Sequence, residues 1–182
     1  MGSEATLIEA ARNGSVAAFT SLVQQYRDGL LRFLVTRTTS FADAEDALQD
    51  TLINAYRYLH SYDARWRFST WLYRIAINNA AKQRSLTTVE LGDLSDEEDD
   101  PLKHCIAASA RENLWVTARR VLKDDVYTAM WLRYVEDMSV NDIAGVLERS
   151  VSWTKVNLLR GRRLLDAELN QQTGAGKSKA YG

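Results

Sequence analysis

The sequence predicts an all-α protein of two small helical domains, and three observations carry that expectation. Proline occurs once and glycine nine times in 182 residues, too little turn chemistry for an all-β fold. Apolar residues recur at three- and four-residue steps along most of the chain. A strongly acidic stretch separates the two patterned regions: residues 86–103 hold seven acids and one Lys, against ten bases and eight acids in residues 1–85 and twelve bases and nine acids in residues 104–182. The net charge of -1 therefore conceals two mildly basic bodies joined by an acidic strap. The expected division is a domain over 1–85, a linker over 86–107, a domain over 108–170 and a disordered tail over 171–182.

The elements follow in order. Leu7, Ile8 and Ala11 open a short helix that Asn13-Gly14 closes as a C-cap pair. Ser15 caps a second helix whose buried stripe is Val16, Phe19, Leu22, Val23, Tyr26, Leu30 and Leu34. Arg37-Thr38-Thr39-Ser40 breaks it. Ser40-Phe41-Ala42-Asp43 is a capping-box variant opening a third helix, with Ala44, Ala47, Leu48, Thr51, Leu52, Ala55 and Leu59 inward. His60–Arg67 reads as a loop, and Ser69 as the cap of a fourth helix ending near Arg84. Thr87–Asp100, with the run Asp96–Asp100 ahead of Pro101, lacks apolar periodicity and reads as a flexible linker.

Helical pattern resumes near Ala108. Leu114, Ala118, Val121 and Leu122 form one stripe; Val126, Ala129, Met130, Leu132 and Tyr134 form the next. Ser139-Val140-Asn141-Asp142 is a second capping-box variant, opening a helix with Ile143, Ala144 and Leu147. After a break near Arg149-Ser150 the last helix runs from Ser152 to about Leu169, and Thr173–Gly182 should fray.

Several function classes find no support. A single cysteine, Cys105, excludes an internal disulfide, and there is no CxxC for zinc. His60 and His104 lack flanking ligand patterns, so neither a metal nor a cofactor is expected. No apolar run approaches the roughly 18 residues that span a bilayer, and no secretory leader precedes the first helix, so a cytoplasmic protein without membrane insertion is expected. No phosphate-cradling GxxxxGK[ST] loop or GxSxG elbow is present, and no residues argue for an enzyme.

Two features point to nucleic acid. From Ala64 to Val89 there is no acid, while Arg65, Arg67, Arg74, Lys82 and Arg84 alternate with Trp66, Phe68, Trp71 and Tyr73. Cations for phosphates and flat rings for unstacked bases are the two needs of a single-strand groove. The competing reading is an amphipathic helix with rings in the core and bases in solvent. The second feature is Asp142–Leu147, a short turn and a helix rich in Lys and Arg, the pattern of a helix-turn-helix. Thr154, Leu158, Gly161 and Leu165 would pack inward, leaving Lys155, Asn157, Arg160, Arg162 and Arg163 for base edges and phosphates. An ordinary terminal helix with a solvated basic face is the alternative. A third cluster is acidic: Asp43, Asp46 and Asp50 share a face with Gln49 nearby. Helix-dipole preference explains acids in the first turn, but Asp50 lies beyond its reach, so a basic protein partner is the other reading.

These residues carry a family resemblance. Asp43-Ala44-Glu45-Asp46-Ala47-Leu48-Gln49-Asp50 with Ala55-Tyr56, followed by Phe68-Ser69-Thr70-Trp71-Leu72-Tyr73-Arg74-Ile75-Ala76-Ile77-Asn78, resembles domain 2 of extracytoplasmic-function (ECF) bacterial RNA polymerase sigma factors. The C-terminal helix-turn-helix resembles domain 4 of the same family. The resemblance implies a subunit that binds core RNA polymerase through Asp43, Asp46, Gln49 and Asp50. It implies that Tyr62, Arg65, Arg67, Phe68, Ser69, Thr70, Trp71, Arg74, Asn78 and Lys82 engage a single-stranded −10 element, with one base flipped from its stack. It implies that Trp153, Lys155, Asn157, Arg160, Arg162 and Arg163 meet a duplex −35 element. Core RNA polymerase and promoter DNA are thus the implied partners, and an anti-sigma factor is a further candidate. The family pattern differs at Leu122-Lys123-Asp124-Asp125, where Leu-Pro is usual, and at Ser152–Asn157, where Gly-Thr-Val-Lys-Ser-Arg is common. Two alternatives stay in view: a stand-alone helix-turn-helix regulator, which leaves Trp66–Arg84 without a task, and an RNA-binding adaptor.

Overall fold

Serine caps start five of the eight α-helices in the computed structural model, which describes the backbone of residues 3–90 and 110–178 and the side chains of 3–82 and 114–171. In the first unit, Ser3 Oγ accepts the Thr6 amide to start α1 (Glu4–Arg12). Gly14, at φ +93°, ends it: the Gly14 amide donates to Ala11 and the Ser15 amide to Ala10, the paired bonds of a Schellman turn. Ser15 then caps α2 (Val16–Val35) and Ser40 caps α3 (Phe41–Arg57), each hydroxyl accepting the amide three residues on. A single 3-10 turn (Leu59–Ser61) leads through Tyr62–Arg67 to α4 (Phe68–Glu90).

The core of this unit lies between α2, α3 and α4. Leu22, Leu30, Phe33, Leu34, Ala44, Ala47, Leu48, Leu72, Tyr73 and Ala76 are buried, and Phe33 meets Tyr73 edge-on at 5.4 Å. Burying each of the leucines and Phe33 stabilises by about 1.5–3 kcal/mol, the alanines by less. Polar groups add register: Asn79 donates to Thr51 Oγ1 (3.3 Å) and accepts from Asn54 (3.2 Å), tying α4 to α3.

In the second unit α5 (Ala110–Val121), α6 (Asp124–Tyr134) and α7 (Val140–Val146) precede α8 (Val151–Ser178). Ser139 caps α7, its hydroxyl accepting the Asp142 amide and donating to the Asp142 carboxylate. The buried stripe of α8 is the expected one, Thr154, Leu158, Gly161 and Leu165. At Gly161 α8 runs close against α6: a Cβ there would meet Val126 Cγ1 at 3.1 Å and the Met130 side chain at 3.2 Å.

All described elements are helical, as expected, and the chain divides into two compact units, Met1–Cys105 and Ile106–Gly182. Six expectations need correction. Helix α4 continues past Arg84 through Glu90, so Thr87–Glu90 is helix rather than linker. Ser69 sits inside the first turn, because the Trp71 amide already bonds the Arg67 carbonyl. Val16, at the N-terminal edge of α2, is 61% exposed, and Tyr134, at the end of α6, is 52% exposed; both lie beyond their stripes' packed part. Helix α8 starts at Val151, with the Ser150 hydroxyl accepting the Trp153 amide. The tail expected to be disordered from residue 171, and to fray from Thr173, is helical to Ser178, since no residue there removes a backbone donor and elongation adds a bond per residue. The remainder of the expected linker, from residue 91, lies outside the described residues.

Candidate nucleic-acid interface

Helix α4 has two faces. Phe68, Leu72, Tyr73, Ala76 and Ala80 are buried against α2 and α3. Offset from them by helical steps, Arg74, Asn78 and Lys82 are exposed and Trp71 is half-buried. Arg67, just ahead of the helix, is exposed on the same line. The result is one stripe of cations, an amide and an indole along about four turns, without a carboxylate. It can accept phosphates along its length and a base against its ring.

The turn before α4 supplies the base of this stripe. Tyr62, Phe68 and Trp71 form a ring cluster with all three centroid separations at 5.5 Å, and Tyr26 of α2 meets Phe68 at 5.7 Å. The Tyr62 hydroxyl donates to the Trp66 carbonyl at 2.6 Å. Asp63 folds the chain over itself: its carboxylate accepts the Arg65 amide (2.9 Å) and Arg65 Nε (2.7 Å). The Arg65 bonds hold the Asp63 carboxyl below the ordinary carboxylate range and raise Arg65 in turn. Burial, with the Glu4 carboxylate second, raises the Tyr62 phenol; burial and the hydrogen bond to Glu4 raise the Tyr26 phenol further.

This geometry redistributes the candidate −10 residues. Phe68 (0% exposed), Thr70 and Tyr62 are buried. Tyr62 and Phe68 form the floor on which Trp71 rests, because a ring at the first buried position of α4 fills the space between α2 and the turn. Arg65, Arg67, Arg74, Asn78 and Lys82 are exposed, and Ser69 and Trp71 are half-buried. Trp66, outside the expected set, offers a 46% exposed indole at the same end. Sequence reasoning also missed Arg12 and Asp63. A lone cation in the last turn of α1 looks like an ordinary dipole partner, and nothing in spacing reveals a contact fifty residues on. The Asp63-Ala64-Arg65 turn was legible in principle as an Asx turn.

On α3, Asp46, Gln49 and Asp50 are exposed and continue into Ile53 (54%) and Tyr56 (42%), a mixed acidic and apolar face. Asp43 differs: it is half-buried and its carboxylate accepts the Thr39 hydroxyl at 2.6 Å, so it serves the helix start. On α8, Lys155, Arg160, Arg162 and Arg163 are exposed. Asn157 is half-buried and its amide nitrogen donates to the Trp153 carbonyl (2.9 Å). Trp153 is half-buried with the Arg149 guanidinium 5.4 Å over its ring, and Arg149 pairs with Asp125 at 2.6 Å. Among the described residues no group of His, Cys, Asp and Glu could hold a metal, and no helix is long and apolar enough to cross a membrane.

An all-helical chain of two units, one with a carboxylate-free stripe of cations and one ending in a basic helix, is by itself a broad class. Comparisons with known proteins narrow it. Residues 22–85 match the family described as Sigma-70 region 2. The chain is 31% identical to the RNA polymerase sigma-H factor of Pseudomonas aeruginosa, over 90% of this chain and 92% of that one. It is 27% identical to the ECF RNA polymerase sigma-E factor of Haemophilus influenzae, over 90% and 93%. The chain belongs to the ECF RNA polymerase sigma factor family. Its fold matches CnrH, solved with the cytosolic domain of CnrY, at a TM-score of 0.70, 23% identity and coverage of 91% and 96%. It also matches the sigma factor RpoE of Bartonella quintana, solved with the anti-sigma factor NepR, at 0.65, 18% and coverage of 85% and 98%.

Proposed function

We propose that this chain joins core RNA polymerase in the bacterial cytoplasm and directs it to promoters, opening the −10 element and starting transcription. Residues 1–85 act as sigma domain 2 and 108–170 as sigma domain 4. The observation that carries this reading is the outward stripe of α4, Arg67, Trp71, Arg74, Asn78 and Lys82, standing on a preformed ring cluster with no carboxylate among them. Arg65 and Ser69 flank its start. Opening the duplex costs a few kcal/mol per extruded base, and stacking returns about 1–3 kcal/mol per base. The stripe therefore favours the melted strand over the duplex.

The Asp46–Gln49–Asp50 face, extended by Ile53 and Tyr56, docks on a basic surface of the polymerase. Helix α8 enters the major groove of the −35 element. Lys155 and Asn157 reach base edges, with Trp153 against an edge or a thymine methyl, and Arg160, Arg162 and Arg163 meet phosphates. The two solved relatives were captured with a CnrY domain and with NepR, which supports an anti-sigma factor as a further partner. The test is in vitro transcription with core enzyme and start-site mapping, alongside Asp46→Arg with Asp50→Arg. The expected result is discrete start sites that need core enzyme and vanish with the double substitution, which opposes like charges at a cost of several kcal/mol. Promoter binding of equal strength with and without core enzyme would instead indicate a stand-alone regulator.

A further inference from the structure

Helix α1 reaches the turn that precedes α4 through one side chain. Arg12 Nε donates to the Leu59 carbonyl at 3.3 Å, its Nη2 donates to the Tyr62 carbonyl, and its guanidinium carbon lies 5.6 Å over the Tyr62 ring. Two backbone acceptors at either end of the 3-10 turn and one ring face are thus gripped by a single planar group. A lysine could neutralise the same charge but could not span both carbonyls or stack. Complementing the dipole of α1 needs only a cation facing solvent. The grip on Leu59 and Tyr62 goes beyond that need. Glu4, at the other end of α1, accepts the Tyr26 hydroxyl, and Tyr26 packs on Phe68, so α1 holds the ring cluster from a second side.

We propose that Arg12 is a positioning residue for −10 recognition: it holds Tyr62–Arg67 in the shape that receives an unstacked base, without touching DNA itself. The proposal rests on the promoter-opening reading above. Ordering a free backbone residue costs roughly 1–2 kcal/mol, so a turn fixed in advance spares that cost when the strand is captured. Downstream of Tyr62 the turn is closed by its own bonds, Asp63 to Arg65 and Tyr62 to Trp66. Upstream, the 3-10 turn closes through the Ser61 and Tyr62 amides on the Tyr58 and Leu59 carbonyls, and Arg12 is the side chain that ties that closed turn to α1.

The experiment compares the full-length chain with Arg12→Ala and Arg12→Lys. Amide hydrogen exchange is followed in the free protein, and binding of a single-stranded −10 oligonucleotide and its single-base variants in the complex with core polymerase. In Arg12→Ala we expect faster exchange at Arg65 and Trp66 with unchanged protection in α2 and α3. We also expect about tenfold weaker strand binding, flattened base preference and unaltered affinity for core enzyme, as for a lost preorganisation. Arg12→Lys should fall between. Wild-type base preference in Arg12→Ala, or full recovery by Lys, overturns the proposal while leaving the promoter reading intact. Loss of protection throughout α2 and α3 makes Arg12 a stability residue and overturns it equally. A wild-type complex that distinguishes none of the −10 variants removes the promoter reading itself, and the positioning role with it.

Discussion

Phe68 and Asn78 both belong to α4, and their surroundings assign them opposite work. Phe68 is fully buried among Tyr26, Tyr62 and Trp71, whereas Asn78 stands in solvent three turns on. Phe68→Ala should therefore lower unfolding free energy by about 3–5 kcal/mol, read by urea denaturation. Asn78→Ala should leave it within about 0.5 kcal/mol while slowing promoter opening, read by permanganate reactivity of −10 thymines. Rescue of Asn78→Ala by a pre-melted template is the expected companion result. Tyr26 adds a pH signature. Its phenol is raised in the folded state by burial and by Glu4, so the fold binds that proton more tightly than the unfolded chain does. The stability it contributes is complete below the unfolded phenol value and is lost as pH rises above about 10 through the folded one. Tyr26→Phe should be less stable than wild type at neutral pH, with the gap narrowing on the alkaline side in chemical denaturation series.

At the scale of the element, the faces of α4 and α8 decide what each helix can offer. The inward stripe of α8 was legible residue by residue, because Thr154, Leu158, Gly161 and Leu165 follow the helical period and nothing else competes for them. The aromatic half of the −10 set was not. Period alone cannot say whether Phe68 or Trp71 takes the buried position of a ring-rich first turn, and Tyr62 lies in a loop where no period applies. The N-caps Ser15, Ser40 and Ser139 were readable since their chemistry is local; the true ends of α4 and α8 were not, lacking any proline or glycine stop at the expected places. Gly161 turns such a face into a test. Gly161→Val pushes methyl groups toward Val126 and Met130, already 3.1–3.2 Å from where a Cβ would sit, and should cost about 1–3 kcal/mol and shift α8 from α6. Thermal unfolding and duplex −35 binding should both weaken. Replacing a phosphate-contacting Arg160 should instead weaken all promoters alike and lower the salt slope by about one unit, with the selected −35 motif unchanged.

Over the whole molecule, the near-zero net charge says little, because acids and bases are sorted by position. The acids Asp46 and Asp50 lie on an outer face of α3 while every charged residue of the α4 stripe is a cation, and Thr51, Asn54 and Asn79 tie those two helices together. On the proposed function, one small unit meets a basic protein and an acidic polymer at once. The second unit, Ile106–Gly182, is compact in its own right, with Ala118, Tyr127, Leu132, Ile143 and Leu165 closing its interior. For inheritance this means that the parts can be traded. A gene fusion placing another family member's C-terminal unit after residue 105 should yield a folded chimera that keeps the −10 choice of its first half and takes the −35 choice of its second, read by promoter selection with core enzyme. New regulons could then arise by recombination of halves, without waiting for point changes to rebuild either interior.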